Sequence, residues 1–462
     1  MRQCHHNEYV GLRNRYLKDT PVLNTNIKKR VNSYCDELLA LMMPNFTGKI
    51  SIEEFFETKR GAIRQRYLGA AHEILKRGFD INKDNDISAF IKNEKYVEMK
   101  PPRMIMGRNP KFNIYYGLYT IPMEKAIAKL PQFVKGCDFM ERGEKFSALV
   151  GEWYVENDYS KFESSQRVLL LDWIEKYMLS KLYPDDKTIM SLYEAKLWKN
   201  GRTPSGIRFK FQGCRGSGDM DTGLFNSILN WIACRYFEDS NHTGHSGMFI
   251  VDGDDGVIRW PRGKEVAVNS FLDFGFDAKL IIRKDYHDVD FCSSKFIQIR
   301  PGVYYQVQNL NKILSYSGYM INTEFRNSLS DYYGSLGYML ACLYPFPVFR
   351  DVATFMMSCS NAPVNMRILE KINPTSANVF SMRRHIGIID EPLIRAEIAL
   401  SFDLPHHLQF DLSNYLTTNK LNFENIPFKA RIRQRYRELT SVDYDMMRST
   451  TIHIDHKVSR GA

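Results

Sequence analysis

The sequence has no CxxC pair. Its eight cysteines, Cys4, Cys35, Cys137, Cys214, Cys234, Cys292, Cys342 and Cys359, are scattered over 462 residues. That pattern excludes a zinc ribbon, a thioredoxin-like dithiol and a dense disulfide scaffold. Free thiols in a reducing compartment are the simplest expectation. His5-His6 and His242/His245 have no matching CxxC or HxxxH nearby, so they make a weak case for zinc. The chain also lacks an apolar run of the roughly 20 residues that a membrane helix needs. Its longest such stretch, Leu336 to Phe349, contains Pro345 and Pro347 and reads as buried core. No transmembrane span is expected in this chain. The first residues, MRQCHHNEYVGLRNRYLKD, have no apolar core of a signal peptide. Internal repeats and linkers rich in Gly, Ser or Pro are missing as well.

What is present is a core-forming, basic chain. Hydrophobic residues make up 44% and charged residues 25%, which excludes a disordered protein. Lys and Arg number 63 against 53 Asp and Glu, a net charge of +10. The excess favours an acidic partner such as nucleic acid or an anionic membrane surface, and says nothing of fold.

The first 100 residues read mostly helical and basic. Lys59, Arg60, Arg64 and Arg66 sit at near-helical spacing, either as a solvated face or as the wall of a nucleic-acid groove. From about residue 150 to 300, short apolar strands alternate with amphipathic helices, the texture of an α+β layer. Trp153 to Val155 reads as a strand. A helix is expected from about Ser164 to Ser180 and another from about Asp219 to Glu238. Met248 to Val251 and Val257 to Trp260 read as strands joined by a tight Asp-Gly-Asp-Asp-Gly turn. A short helix over Glu265 to Leu272 and strands at Lys279 to Ile282 and Phe296 to Ile299 follow. Beyond about 300 the chain is helical and aromatic, ending in a basic stretch from Phe428 to Leu439.

Four segments carry chemistry. Asp158 lies where a strand meets a helix, a rigid place for a carboxylate that binds a hard cation. Gly253-Asp254-Asp255 puts two acids on a stiff hairpin, where they repel each other and call for a cation. On neighbouring strands, Asp158 and Asp254 would make a two-metal site for in-line attack at phosphorus. Gly213, Gly216 and Gly218 make a backbone-exposing loop before a helix, the kind that approaches phosphates closely. Thr222, Asn226 and Asn230 then form a polar stripe at i, i+4, i+8. Finally, Lys100, Arg103, Arg108 and Lys111 surround prolines in KPPRMIMGRNPK, an extended basic segment suited to clamping a triphosphate.

In this order and spacing the segments resemble the RNA-dependent RNA polymerases of positive-strand RNA viruses. Asp158 and Glu163 are similar to the paired acids of motif A. Ser217-Gly218-Asp219 with Thr222 and Asn226 resembles motif B, and Gly253-Asp254-Asp255 resembles motif C. Lys100 to Arg108 is similar to motif F, FGFDAKL with Lys279 to motif D, and Phe291 to Phe296 to motif E. KPPRMIMGRNP, Pro122-Met123-Glu124-Lys125 and DYSKFE look most like the tombusvirus-like branch. There the second motif A acid is usually Asp, and here it is Glu163, whose extra methylene shifts the carboxylate by about a bond length.

The resemblance implies an α+β right-hand polymerase, with helical fingers and thumb around a ferredoxin-like antiparallel palm sheet. Fingers are expected over about residues 1–150, palm over 151–300 with a fingers insertion near 181–212, and thumb over 301–462. It further implies Asp158, Asp254 and Asp255 as ligands of two Mg²⁺ or Mn²⁺ ions. Lys100, Arg103 and Arg108 would hold the triphosphate. Glu163, Ser217, Gly218, Asp219, Thr222 and Asn226 would line the nucleotide and its ribose. Lys279 would be the general acid for pyrophosphate, with Lys284 as its rival. Template RNA, nascent RNA and nucleoside triphosphates are the implied partners, together with a membrane-anchoring replication protein or a missing N-terminal segment. The implied location is the host cytoplasm, at membrane-associated replication complexes. A reverse transcriptase usually has an aromatic residue at the place of Glu163 and an apolar one at that of Gly253. A non-catalytic RNA-binding replication protein would not need Asp158, Asp254, Asp255 and Asn226 intact.

Overall fold

The structure is a computed structural model that describes residues 3–17, 19–94, 100–151, 153–317, 329–358, 360, 364–365, 368–369, 386–419 and 451–453. The basic stretch 428–439 lies outside the described residues.

Helices fill most of the N-terminal part, as the sequence leads one to expect: His5–Tyr16, Lys28–Met42, Ile52–Glu57 and Gly61–Arg77. Ser51 starts the third with a capping box, since its hydroxyl accepts from Glu54 N–H while the Glu54 carboxylate accepts from Ser51 N–H. Arg60, Arg64 and Arg66 are exposed, whereas Lys59 lies 4.7 Å from the centre of the Phe55 ring. Two strands of this part went unread in the sequence: β1 (Ile87–Ile91) and β2 (Met104–Arg108), which pair antiparallel. Asn109 then caps the helix Pro110–Ala128, with proline at its tolerant first position.

The strand at Trp153 runs further than expected, so β3 (Trp153–Tyr159) carries Asp158 within it. The single helix expected over 164–180 is broken into Phe162–Ser165, Val168–Leu171, a wider turn at Asp172–Lys176, and Tyr177–Leu182. The break falls at Gln166, whose φ −79°, ψ 81° leave the helical region. Helix Lys187–Leu197 leads into β4 (Trp198–Arg202) and β5 (Arg208–Gln212), an antiparallel pair. β4 runs parallel to β1, so the segment near 181–212 completes a sheet begun a hundred residues earlier.

After the helix Thr222–Ser240 come β6 (Phe249–Asp252), β7 (Asp255–Trp260) and β8 (Ala278–Arg283). The short helix expected over 265–272 is a 3₁₀ turn at Ser270–Phe274. These strands and β3 form one antiparallel sheet in the order β6-β7-β3-β8. With a helix between β3 and β6 and a shorter one between β7 and β8, this is the ferredoxin-like βαββαβ arrangement. Strand alternation sorts β3 into two faces. Val155 and Tyr159 join the main core with Val251, Ile258 and the helix residues Leu229 and Ile232. Tyr154 joins a second core with Phe146, Ile250, Val257 and Phe296. In that second core the Phe146 and Phe296 rings stack at 3.9 Å.

β9 (Ser294–Arg300) and β10 (Val303–Gln308) form a separate hairpin. A third core unites Ile297, Tyr305 and Val307 of this hairpin with the helices Leu329–Leu343, Phe349–Ser358 and Glu391–Phe402. β11 (Thr451–His453) lies parallel to β5. Among the described residues, no helix is long and apolar enough to cross a membrane.

Candidate active site

The β6–β7 hairpin turns on two residues, Gly253 and Asp254, between the paired Asp252 and Asp255. Gly253 takes φ +64°, a sign that such tight loops demand and that glycine adopts without strain. The helix behind the sheet holds this turn in place. Ser227 Oγ accepts from Gly253 N–H at 2.8 Å. Asn230 Nδ2 donates to the Gly253 and Asp255 carbonyls at 3.2 and 3.0 Å. The other end of the same side chain, Asn230 Oδ1, accepts from Asn157 Nδ2 and Tyr159 Oη of β3, both at 2.8 Å. One buried amide therefore fixes the turn carrying Asp254 against the strand carrying Asp158. In the sequence Asn230 is part of a polar stripe; the structure uses it internally.

Asp158, Asp254 and Asp255 are open to solvent. They nevertheless sit in a recess of acids, and the proton affinities of Asp254 and Asp255 show it. Burial, then the neighbouring Glu163, raises the Asp254 carboxyl, with Arg103 and Arg15 partly offsetting the rise. Burial, then Asp254, with Asp252 and Asp158 adding to it, pushes Asp255 up to about 6. Beneath them Asp252 is taken by Arg142, whose Nη2 donates at 2.6 Å. Among the described residues, no three acid, histidine or cysteine side chains already form a metal cage. The three acids still fit hard cations. They offer oxygen alone, remain accessible and repel one another, and magnesium usually completes its shell with substrate phosphates and water.

Lys279 lies directly opposite Asp158 in the β3–β8 register, so the two side chains share a face of the sheet. Lys279 is exposed, while its rival Lys284 sits over the Trp153 ring at 5.4 Å. Lys100 is exposed, and Arg103, 52% exposed at its side chain, lies 3.5 Å from Glu94.

Arg108 is buried, unlike Lys100 and Arg103. Its side chain is 1% exposed, and it donates to Asp219 at 2.5 Å and to the Asn85 and Lys196 carbonyls at 3.1 Å. So placed, the Arg108 guanidinium is committed to protein partners. Asp219 is equally buried, with Lys199 at 3.7 Å as a second cation. Its carboxyl stays well below the usual range, because Arg108 and Lys199 outweigh the burial that would raise it. Asp219 is thus no ribose ligand as placed. Ser217 and Thr222 also spend their hydroxyls on the loop. Ser217 Oγ donates to Met104 O at 3.2 Å and accepts from Met106 N–H at 3.3 Å. Thr222 Oγ1 donates to the Gly216 and Asp219 carbonyls at 2.6 and 2.9 Å. Gly218 is bridged to Gly107, and a Cβ there would meet Met106 O at 2.4 Å, so glycine alone lets the loop lie on β2.

Glu163 accepts from Arg15 Nη2 at 2.7 Å. Arg15 comes from the first helix, 148 residues away, and no local pattern in the sequence singles it out. Asn226 is buried at 4% exposure and accepts at Oδ1 from Gln166 Nε2 at 2.8 Å.

The family model of viral RNA dependent RNA polymerases matches residues 5–423, nearly the whole chain. The chain belongs to that polymerase family. Its relatives include the RNA-directed RNA polymerase of Cymbidium ringspot virus, 27% identical over 267 residues that cover 52% of this chain and 32% of the relative. The enzyme of tobacco necrosis virus (strain D) is 26% identical over 330 residues, 65% of this chain and 44% of the relative. That of tomato bushy stunt virus (strain Cherry) is 26% identical over 269 residues, 52% and 32%. The chain thus spans less than half the length of these relatives. Polymerases of this family work with divalent metal ions, which agrees with the oxygen-only donor set.

Proposed function

We propose that this chain is the catalytic core of an RNA-directed RNA polymerase that replicates a viral genome by template-directed nucleotidyl transfer. The observation that carries the reading is the Asn230 clamp, which seats the Asp254 turn against the strand of Asp158. Residues 1–150 with the insertion near 181–212 act as fingers, 151–300 as palm and 301–462 as thumb. The substrates are template RNA, a growing RNA 3′ end and nucleoside triphosphates, and the net charge of +10 suits them.

Asp158, Asp254 and Asp255 would hold two Mg²⁺ or Mn²⁺ ions, which when bound supply Lewis-acid activation and charge neutralisation at phosphorus. Arg103 and Lys100 attract and orient the triphosphate. Lys279, opposite Asp158, gives a proton to the departing pyrophosphate. Asn226 checks the ribose 2′-hydroxyl, because a buried amide rejects a sugar that leaves it unpaired. Location in the host cytoplasm at membrane-associated replication complexes, through an anchoring protein or segment, rests on the likeness to tombusvirus-like polymerases.

A template-directed incorporation assay, with Mg²⁺ or Mn²⁺ and with or without primer, tests the reading. Incorporation of only the complementary ribonucleotide is expected. RNA binding without incorporation would favour a non-catalytic replication protein. A preference for deoxynucleotides would favour a reverse transcriptase.

A further inference from the structure

Gln166 was not singled out by any motif, yet it breaks the helix expected after β3 and is fully buried. Its Oε1 accepts from Arg215 Nε at 2.7 Å, and its Nε2 donates to Asn226 Oδ1 at 2.8 Å. Arg215 is itself buried at 2% exposure, gripped by Glu175 and, at 3.3 Å, by Asp221. The backbone joins the same two segments, with Arg215 N–H donating to Glu163 O and Cys214 N–H to Gln166 O, both at 2.9 Å.

The chemistry of this chain sets a direction. A guanidinium only donates. The Gln166 atom that meets Arg215 is therefore the oxygen, and its other end is the NH₂ group. The Asn226 atom that meets that NH₂ must be an acceptor, so it is Oδ1. Asn226 Nδ2 is left over as a donor, with no protein partner among the described residues. Asn226 stands one helical turn from Asn230, whose amide holds the Asp254 turn.

We propose that Arg215 and Gln166 form a polarity relay that fixes the Asn226 side-chain amide with its NH₂ toward the incoming sugar, making Gln166 a positioning residue for ribose selection. The proposal rests on Asn226 being the ribose check. A freely rotating asparagine offers either a donor or an acceptor and discriminates poorly. A locked one presents a donor alone, which the 2′ oxygen accepts. Desolvation of the buried amide then penalises a sugar that offers nothing at that position.

The test compares UTP, 2′-deoxy-UTP and 2′-fluoro-2′-deoxy-UTP as substrates, by kcat/KM, in wild type, Gln166→Glu, Gln166→Met and Asn226→Ala. In Gln166→Glu the carboxylate still accepts from Arg215 but no longer donates to Asn226. The Asn226 amide then turns over to donate to the carboxylate, leaving its oxygen toward the sugar. A 2′-hydroxyl can still donate to that oxygen, whereas a 2′-fluorine is repelled by it. The expected result is a fall of about tenfold in the ratio of 2′-fluoro to 2′-deoxy incorporation, one hydrogen bond's worth, with UTP still used. Gln166→Met keeps the shape without the polarity, and there the preference for UTP over 2′-deoxy-UTP should shrink severalfold. Unchanged ratios in both Gln166 variants, with a changed ratio in Asn226→Ala, would overturn the relay alone. An unchanged UTP to 2′-deoxy-UTP ratio in Asn226→Ala would overturn the ribose reading itself, and the relay's role with it.

Discussion

Arg108 and Asp219 form an ion pair of 2.5 Å in which neither side chain sees more than 2% of its solvent surface. The pair ties β2 to the loop before the helix Thr222–Ser240, and Lys199 reinforces it from β4 at 3.7 Å. Removing one partner of such a pair strands the other charge in a poorly solvated place. Arg108→Met is therefore expected to lose about 3–5 kcal/mol of stability in denaturant unfolding. Arg103→Met should stay within about 0.5 kcal/mol of wild type, as exposed substitutions do, while raising KM for nucleotides. A stable Arg108→Met protein with a raised KM would return Arg108 to the triphosphate.

Burial, and then Glu163, disfavours the charge on Asp254. In Asp254→Asn, incorporation should fall by on the order of 10³ to 10⁴, typical of losing a group on which the chemistry depends. RNA binding should persist, and metal-free stability should not drop, because repulsion on Asp255 and Glu163 is relieved. Millimolar Mg²⁺ should raise the melting temperature of wild type over a chelator control, and raise it less in the variant. Equal Mg²⁺ shifts in both proteins would argue against Asp254 as a ligand.

The Arg15–Glu163 pair predicts coupling between the first helix and the acidic recess. Arg15→Gln leaves Glu163 uncompensated beside Asp254 and should slow incorporation by about tenfold. Adding Glu163→Gln should recover part of the loss, giving a coupling energy of about 1–3 kcal/mol in the double-mutant cycle. Strictly additive effects would show that the pair does not act as a unit.

His287 lies at the junction of the β8–β9 segment with the helix Glu391–Phe402. Its ring nitrogens meet Asp285 at 2.6 Å and Glu397 at 3.4 Å, and Tyr286 Oη also donates to Glu397, at 2.7 Å. Burial works to lower the His287 pKa, but Glu397 and Asp285 outweigh it, and the net shift is upward from 6.5. A raised histidine stabilises the fold fully below its unfolded pKa and loses that contribution as pH rises through the folded value. The melting-temperature gap between wild type and His287→Gln should thus be wider near about pH 6 than near about pH 9. A gap independent of pH would mean that folding leaves the His287 pKa unshifted, and a gap wider at the higher pH that the ring is held neutral.

Much of the palm was legible in the sequence because its cues are local. Short apolar runs on either side of a Gly-Asp turn specify a hairpin whatever surrounds it, and the apolar stripe from Leu224 to Phe237 specifies a helix with one buried face. β1 and β2 escaped notice because β1 borrows its second neighbour from β4, over a hundred residues on, and no window reaches that far. The broken helix at Gln166 escaped for a related reason. Leu170, Trp173, Ile174 and Met178 keep helical spacing, while Gln166 leaves the helix to meet Arg215 and Asn226.

Residue type and spacing by themselves determined which side chains could do chemistry here: the acids of β3 and the hairpin turn, a glycine loop, an asparagine stripe and a basic segment. Tertiary structure alone decided how those groups were spent. Arg103 and Arg108 stand five residues apart in one basic segment, yet one is half exposed and the other lies 1% exposed against Asp219. Asn226 and Asn230 share one helix stripe, yet Asn230 clamps the Asp254 turn while Asn226 keeps a donor unspent. The physical reason is that a polar group's role depends on what shares its desolvated surroundings. Packing across more than a hundred residues sets those surroundings, and local sequence does not encode them.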